Sequence, residues 1–219
     1  MKKIIISFLV LCFFIAFSGC KKENAYLAYI SDLKQDVYAG AANDITVTAY
    51  YGFREEPFIN DGKVGEKVYG YTFKLDIIPD DVRRAVELKT DDETYSAVFT
   101  PDEVTSEYKA FIEIKNHFEK EFTVTYICGS EKTPVTLCSV LPENCISYER
   151  ALDLLTEKQS SLLSAYKSDN GFNAEIYVRI FIKNDSPYWY VGIASGNGKL
   201  KALLIDGVSG ELLAVREIF

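Results

Sequence analysis

The chain has 219 residues, of which 48% are hydrophobic and 26% are charged, and its formal net charge is −8. This composition is typical of a globular protein and argues against a disordered or fibrous chain. The acidic balance argues against a nucleic-acid partner, because nucleic-acid binders neutralise phosphates with clustered Lys and Arg. One histidine and one methionine leave little material for histidine-based metal sites or for a His-dependent triad.

The N-terminus has the pattern of an export signal. Lys2 and Lys3 precede an uncharged run from Ile4 to Phe17, which is short for a helix that spans a bilayer of roughly 30 Å and fits the apolar region of a signal peptide better. The following segment, Phe17-Ser18-Gly19-Cys20, resembles the lipobox of bacterial lipoproteins. An ordinary signal peptide or an uncleaved anchor is the alternative interpretation.

The lipobox resemblance implies a division of the N-terminus and a place for the protein. Residues 1–19 would be a lipoprotein signal peptide, and residues 20–24 a short tether. The thiol of Cys20 would carry diacylglycerol, and two or three acyl chains hold a protein on a membrane stably where one chain does not. We therefore expect a lipid-anchored protein on the extracytoplasmic face of the cell membrane.

The charges of the remaining chain are distributed unevenly. Residues 20–143 carry 14 basic and 23 acidic side chains, whereas residues 144–219 carry 8 and 9. A step of this size predicts two modules, 25–143 and 144–219. Three cysteines remain after Cys20, namely Cys128, Cys138 and Cys145. We expect free buried thiols, because a turn near Gly129 would pair Cys128 with Val135 and leave Cys138 too far away for a disulfide; the sequence leaves open whether any two of the three are bridged.

The first module has the pattern of a β-sandwich. Short segments that alternate with period two are separated by polar turns, which predicts a two-sheet antiparallel sandwich. The predicted strands are Tyr26–Ile30, Ile45–Tyr50, Tyr69–Ile78, Ala85–Leu88, Tyr95–Phe99, Lys109–Ile114, Phe122–Cys128 and Val135–Val140.

One local motif extends this prediction. Thr100-Pro101-Asp102-Glu103 has the form of a helical capping box and predicts a single helical turn. Tyr108 then opens an alternating strand, which resembles the tyrosine corner of immunoglobulin-like domains. The resemblance implies an immunoglobulin-like β-sandwich near the membrane, and it assigns no chemistry.

The second module is predicted to be one helix followed by an antiparallel sheet. Ser147 can cap a helix that begins at Tyr148, and Asp169-Asn170-Gly171 would end it. Three or four strands follow, with hairpin turns around Gly196 to Gly198 and around Asp206 to Gly210. The predicted fold class is therefore mainly β with a C-terminal α+β module, a helix packed on a three- to four-stranded sheet. We expect the apolar side chains of two strands to lie under the helix: Ile176, Val178, Ile180, Ile182, Trp189, Val191 and Ile193.

Three segments of this module resemble a PepSY-like domain. They are Ile146-Ser147-x-x-x-Ala151-Leu152, Tyr188-Trp189-Tyr190-Val191 and Leu203-x-Ile205-Asp206-x-x-x-Gly210-Glu211-Leu212-Leu213. The resemblance covers about a third of the chain and implies a non-catalytic exported module that binds peptides or restrains peptidases. Asp206 is predicted to form the turn rather than to act as a catalyst, because its carboxylate can accept hydrogen bonds from turn amides.

The other face of the predicted sheet carries aromatic side chains and one arginine. Tyr and Arg are favoured anchors in binding surfaces, so this face is our candidate for docking a peptide or protein partner. The alternative is that this face packs on the first module or has only the ordinary composition of strands. The candidate binding residues are Tyr177, Arg179, Phe181, Tyr188 and Tyr190.

The sequence offers little for catalysis or cofactors. No nucleophile elbow, dinucleotide loop or phosphate loop is present, His117 is placed at a solvated turn, and Cys145 has no evident helper. The acidic pairs at Asp80-Asp81 and at Asp91-Asp92-Glu93 lack the spacing of a calcium-binding loop. We therefore expect no catalytic residue, no cofactor and no metal, and a protein that acts by binding or regulation. The alternatives are a structural or assembly lipoprotein whose modules only pack together, and an envelope hydrolase.

Overall fold

The fold is given by a computed structural model, which describes residues 24–57, 59, 61, 63–75, 82–102, 107–169, 171–196 and 198–218. The predicted signal peptide, Cys20, most of the tether and the Asp80-Asp81 pair lie outside these residues. Among the described residues, none of the helices is both long and apolar enough to cross a bilayer.

The protein is mainly β, as predicted, with two short α-helices. The helices are α1 (Tyr148–Lys158) and α2 (Ser160–Ser164). The strands of the described chain are β1 (Ile30–Ala42), β2 (Ile45–Glu55), β3 (Lys67–Leu75), β4 (Arg84–Lys89), β5 (Thr94–Val98), β6 (Thr100–Pro101), β7 (Tyr108–Glu113), β8 (Glu121–Cys128), β9 (Glu131–Ser139), β10 (Lys167–Ser168), β11 (Gly171–Phe172), β12 (Glu175–Lys183), β13 (Ser186–Ala194), β14 (Leu200–Asp206) and β15 (Leu212–Ile218).

One continuous sheet joins the two predicted modules. Its main path runs β15-β14-β13-β12-β1-β2-β3-β7-β6, and β9, β8, β4 and β5 branch from β1. The junction is the parallel pairing of β1 with β12, in which Ile30 lies opposite Ile176 and Lys34 lies opposite Arg179. All other pairings in this sheet are antiparallel, so residues from the beginning and the end of the chain meet at this one strand pair.

The start of the first module differs from the prediction. Ala25–Tyr29 is a 3₁₀-helix and not a strand. The side chain of Asn24 caps it by accepting a hydrogen bond from the Tyr26 amide at 3.0 Å. The rings of Tyr26 and Tyr29 lie 5.1 and 5.0 Å from the ring of Phe172, so this segment packs onto the second module and delivers the chain to β1.

The first module forms a near-barrel around its own core. Strand β1 takes part in both modules. Its first part pairs with β12, and its second part pairs with β2 on one side and with β9 on the other. The enclosed barrel core includes Tyr38, Tyr71, Phe73, Leu88 and Leu137, each almost fully buried. The predicted helical turn at Pro101 is wrong in its first residues, because Thr100 and Pro101 pair with β7 as a short strand.

The second module follows its prediction closely at the helix start and in the sheet. Ser147 caps α1 by accepting a hydrogen bond from the Arg150 amide at 3.3 Å. The helix ends at Lys158 rather than near Asp169, because Gln159 has a non-helical conformation (φ −131°). The two helices cover a second core, which we call the helix-covered core. Trp189 lies in it with 1% of its surface exposed, and its indole N–H donates to the Ile146 carbonyl at 3.0 Å. Of the side chains expected under the helix, only Ile182 is less than fully buried.

Two turn predictions have different outcomes. The Asp206 turn is confirmed: its carboxylate accepts hydrogen bonds from the amides of Val208 and Ser209 at 3.0 and 2.7 Å, which lower the pKa of Asp206. The hairpin after Cys128 has another register, with Cys128 opposite Glu131. The thiols of Cys128, Cys138 and Cys145 are free, and Cys138 is exposed rather than buried.

Candidate functional site

A groove crosses the outer face of the continuous sheet. Side chains alternate along each strand, so the residues between the core positions of β1, β2, β3, β7 and β12 point away from both cores. These residues line a groove of about 740 Å³, which we call the outer groove. The outward-pointing strand residues among its lining are Asp32, Lys34, Tyr50, Gly52, Arg54, Gly70, Thr72, Lys109, Phe111 and Arg179.

The floor of the outer groove is low because two glycines lie opposite each other in it. Gly52 of β2 pairs with Gly70 of β3. A Cβ atom at Gly52 would lie 1.8 Å from the carbonyl oxygen of Leu33, and one at Gly70 would lie 2.1 Å from that of Ile112. Both positions therefore require glycine, because neighbouring backbone is too close for a Cβ atom. Both glycines are buried, so they form a closed part of the groove floor.

A smaller cavity of about 310 Å³, the basic pocket, adjoins the outer groove where β12 meets β1. Its apolar lining includes three aromatic rings, those of Tyr50, Phe181 and Tyr190. Four of its side chains are cationic and one is acidic, in a protein whose net charge is −8. These charged residues are Lys34, Lys74, Lys109, Arg179 and Glu107.

Most of these cations are held by carboxylates. Arg179 Nε lies 2.7 Å from Asp32 Oδ1, across the β1–β12 junction. Lys74 and Lys109 both contact Glu107, at 2.6 and 3.2 Å. Burial acts to raise the pKa of Glu107, but hydrogen bonds from the two lysines hold that pKa below its ordinary value. The ion pairs fix the side chains around the pocket, and Glu107 stays ionised.

Lys34 is the exception among the pocket cations. Its ammonium lies 5.2 Å from the centre of the Tyr50 ring, and among the described residues no carboxylate forms an ion pair with it. Burial lowers the pKa of Lys34 to about 8; Asp32 acts in the opposite direction, and the cations Arg179 and Lys109 lower the pKa further. The folded chain thus keeps a half-buried ammonium whose charge is poorly compensated.

The predicted binding face is divided by the fold. Arg179, Phe181 and Tyr190 line the basic pocket. Tyr177 is only 8% exposed, its hydroxyl donates to Glu175 at 3.5 Å, and burial raises its pKa. Tyr188 is half-buried and its ring stacks on Phe181 at 5.6 Å. Neither Tyr177 nor Tyr188 belongs to the described lining of the two cavities.

The sequence analysis missed the half of the site that comes from the first module. The lysines of the basic pocket lie on β1, β3 and β7, within the module that carries most of the acidic charge. Lys74 and Lys109 alternate with the buried residues of β3 and β7, but no sequence signal joins them to Arg179. Only the β1–β12 pairing brings them together.

Other candidate chemistry lies away from the groove. His117 is at the surface, but it contacts Asp36 Oδ2 at 3.1 Å and the Tyr38 hydroxyl at 3.0 Å. Burial raises the pKa of Cys145 to about 11, which keeps its thiol protonated and unreactive at neutral pH. In the described part of the chain no three His, Cys, Asp or Glu side chains are grouped so as to hold a metal ion.

The fold and the site define a mainly-β protein with a helix-covered end. The outer groove and the basic pocket lie on the outer face of its sheet. No protein-family model, curated protein or solved structure matches this chain.

Proposed function

We propose that the protein is a lipid-anchored, extracytoplasmic binding protein that holds an extended segment of a polypeptide in the outer groove without turning it over. The observation that carries the proposal is the groove itself, a space of about 740 Å³ with glycines in its floor and with anchoring Tyr, Phe and Arg side chains around it. A preformed site of this kind can bind the polypeptide segment without a catalytic step.

The dimensions of the groove support an extended ligand. It reaches from β12 across β1, β2 and β3 to β7. Four spacings between neighbouring strands amount to about 19 Å, which accommodates about six residues of extended chain. Its volume also lies in the range of ordinary ligand sites, on the order of 300–1,000 Å³. A short peptide segment therefore fits this space, and a folded domain does not.

The ion pairs around the groove argue against its carboxylates as general acids or bases. A carboxyl group in that role needs a proton that can move near neutral pH. Asp32 is held by Arg179, and Glu107 is held ionised by Lys74 and Lys109. The PepSY-like assignment of residues 144–219 and the immunoglobulin-like assignment of residues 25–143 belong to the same proposal, and the PepSY-like assignment implies a non-catalytic exported module.

One observation favours the alternative structural role. Tyr177, which the sequence analysis offered for ligand binding, is buried next to the β1–β12 junction. If side chains of the two modules also filled the groove, the modules would only pack against each other and would leave no room for a ligand. The open basic pocket is the feature that distinguishes the two roles, and the experiments below are directed at it.

The proposed anchor gives the protein a definite orientation. The side chain of Asn24 donates to Asp153 and to Thr156 of α1, each at 3.0 Å. Only three residues separate Asn24 from Cys20, so a lipid on Cys20 lies within about 15 Å of this helix. The helix-bearing end would therefore face the membrane more closely than the barrel.

We predict that Cys20→Ala abolishes lipid modification. The wild-type chain, expressed in a bacterial host that processes lipoproteins, should incorporate labelled fatty acid, and the variant should not. Cys12→Ala, which lies inside the predicted signal, is the matched control and should behave as wild type. Fatty-acid labelling that Cys20→Ala leaves unchanged would contradict the lipid anchor.

We also predict that Thr72→Trp blocks peptide binding. Thr72 points into the middle of the outer groove and is half-buried, so an indole there fills the site without entering either core. The measurement is selection of binders from a displayed library of random dodecapeptides by the full-length protein, followed by titration of the selected peptides. We expect affinity to fall at least about tenfold, because several buried contacts are lost.

The control for this substitution is Thr125→Trp. Thr125 is also a half-buried threonine in the middle of a strand, and it lies on β8, away from the groove. It should leave peptide affinity unchanged. A library that yields no binder, or binders that tolerate Thr72→Trp, would overturn the proposed function.

A further inference from the structure

We propose that the basic pocket is a carboxylate-binding subsite, in which Lys34 forms an ion pair with an acidic group of the bound peptide. The inference rests on the proposed function and adds the chemical class of the ligand. The carboxylate has two sources in a peptide, an Asp or Glu side chain and the free C-terminus, and the experiment distinguishes them.

The first support is the local balance of charge. The described lining of the basic pocket has four cationic side chains and one acidic side chain. When Asp32 and Asp102 of the adjoining groove are counted against Arg179 and Lys109, one positive charge remains, although the whole chain is strongly acidic. A cluster of this sign on such a protein attracts anions locally and repels them elsewhere. The pocket is therefore complementary to an acidic group and discriminates against a basic one.

The second support is the state of Lys34. Arg179, Lys74 and Lys109 have carboxylate partners, but Lys34 has the Tyr50 ring and the electrostatic influence of Asp32. A half-buried ammonium without an ion pair costs folding free energy. A ligand carboxylate would supply the missing counter-charge in a site already partly removed from water, where ion pairs are stronger than at the surface.

The third support is the shape of the pocket. The Lys34 ammonium lies between the outer groove and the basic pocket, and it lines both. The rings of Tyr50, Tyr190 and Phe181 provide apolar walls for the carbon atoms next to a carboxylate. The subsite therefore takes an acidic residue of a chain that continues along the groove, and its selectivity depends on Lys34.

Binding of the carboxylate should depend on pH, because it requires protonated Lys34. With a pKa of about 8 in the free protein, the ammonium is mostly charged at pH 7 and mostly neutral at pH 9, so affinity should fall about tenfold between these values. Other titratable and charged groups face Lys34, and the prediction takes the charge state of each to be the same at pH 7 and at pH 9. They are Asp32 on β1, Tyr50 on β2, Lys74 on β3, Glu107 and Lys109 at β7, and Arg179 and Tyr190 on β12.

The direct test is protection of Lys34 from acetylation in the full-length protein. Three probes of nearly equal size are added: N-acetylglutamate α-amide with a side-chain carboxylate, N-acetylglutamine with a terminal carboxylate, and neutral N-acetylglutamine amide. Mass spectrometry then follows the acetylation of Lys34, with exposed Lys89 as the internal control. We expect a charged probe at about ten times its dissociation constant to slow Lys34 about tenfold and to leave Lys89 unaffected.

The probes separate the possible outcomes. Protection by the first probe alone assigns the subsite to an acidic side chain, and protection by the second alone assigns it to a C-terminus. Equal effects of all three probes, or no protection by either charged probe, would overturn the carboxylate subsite. None of these results depends on the peptide library, so the subsite and the proposed function can fail separately.

A second measurement uses peptides selected by the protein. Lys34→Gln should weaken an acidic peptide about 10- to 100-fold, the range for a hydrogen bond to a charged group. The same peptide with glutamine in place of its acidic residue should lose no more on Lys34→Gln, because the two changes remove one interaction. Lys89→Gln, which removes the same charge elsewhere, should change nothing, and independent effects of the two changes would contradict the ion pair.

Discussion

Replacing Leu88 with alanine lowers the free energy of unfolding that Trp189 fluorescence reports by about 2–5 kcal/mol. Leu88 is fully buried in the barrel core, whereas Trp189 belongs to the helix-covered core. The lost methyl groups of Leu88 therefore leave a cavity in one core and shift a signal that originates in the other. The expectation follows from β1, which contributes to both cores and connects them through its pairing with β12.

The experiment is urea unfolding followed by the fluorescence of the single tryptophan. Val215→Ala is the control, because Val215 is 48% exposed on the edge strand β15, in the same module as Trp189. It should change the unfolding free energy by less than about 0.5 kcal/mol. If the tryptophan transition stayed fixed in Leu88→Ala while near-ultraviolet circular dichroism shifted, the cores would unfold independently.

Replacing Lys34 with methionine should stabilise the protein and destroy its carboxylate subsite together. The burial that lowers the pKa of Lys34 from 10.5 to about 8 means that the charged side chain is less favourable in the folded chain than in the unfolded chain. Methionine keeps the apolar stem and removes the charge. After discounting for partial exposure, we expect an increase of about 1–2 kcal/mol in the free energy of unfolding at pH 7.

The pH dependence of this difference has a fixed sign. The unfolded chain binds a proton at Lys34 more tightly than the folded chain does, so wild-type stability should rise relative to the variant as pH increases from about 8 towards 10.5. The advantage of methionine is therefore complete below pH 8 and lost near pH 10.5. Urea unfolding at pH 7 and pH 10 measures it, and Lys89→Met serves as the exposed control.

The opposite result would also be informative. If Lys34→Met destabilised the protein at pH 7, the Tyr50 ring and the Asp32 carboxylate would compensate the ammonium fully in the free protein. Lys34 would then be a structural residue whose charge requires no carboxylate from a ligand. Stabilisation combined with loss of carboxylate binding is the pattern of a residue retained for function at a cost in stability.

The elements with regular local signals could be predicted from the sequence. Ser147 caps α1 as predicted, and the strands that carry Trp189 and Ile205 lie on either side of the turn predicted around Gly196. In these segments the apolar residues recur at the period of the element. Asp206 and its turn were likewise predicted, because a carboxylate that accepts turn amides is a local arrangement.

Strand β1 could not be predicted, and the candidate site depends on it. Its apolar positions Ile30, Leu33 and Val37 have helix-like spacing, because irregularities between Ile30 and Asp32 and between Lys34 and Asp36 break the alternation. Of the polar residues between them, Asp32 and Lys34 line the groove, whereas Ser31 is buried. Without β1, the aromatic face of the second module had no neighbour in the sequence analysis, so the lysines of the basic pocket were not connected with Arg179.

The β1–β12 junction also has a consequence for the order of folding. Residues that pair there are separated by about 145 positions, so β1 can pair with β2 early in folding but keeps an open edge until β12 becomes available. Closing so long a loop is slow compared with forming hairpins. An apolar edge exposed for that time invites intermolecular association, whereas charged residues on an edge resist it. Asp32 and Lys34, which later position the ligand site, would thus protect the unfinished sheet against aggregation.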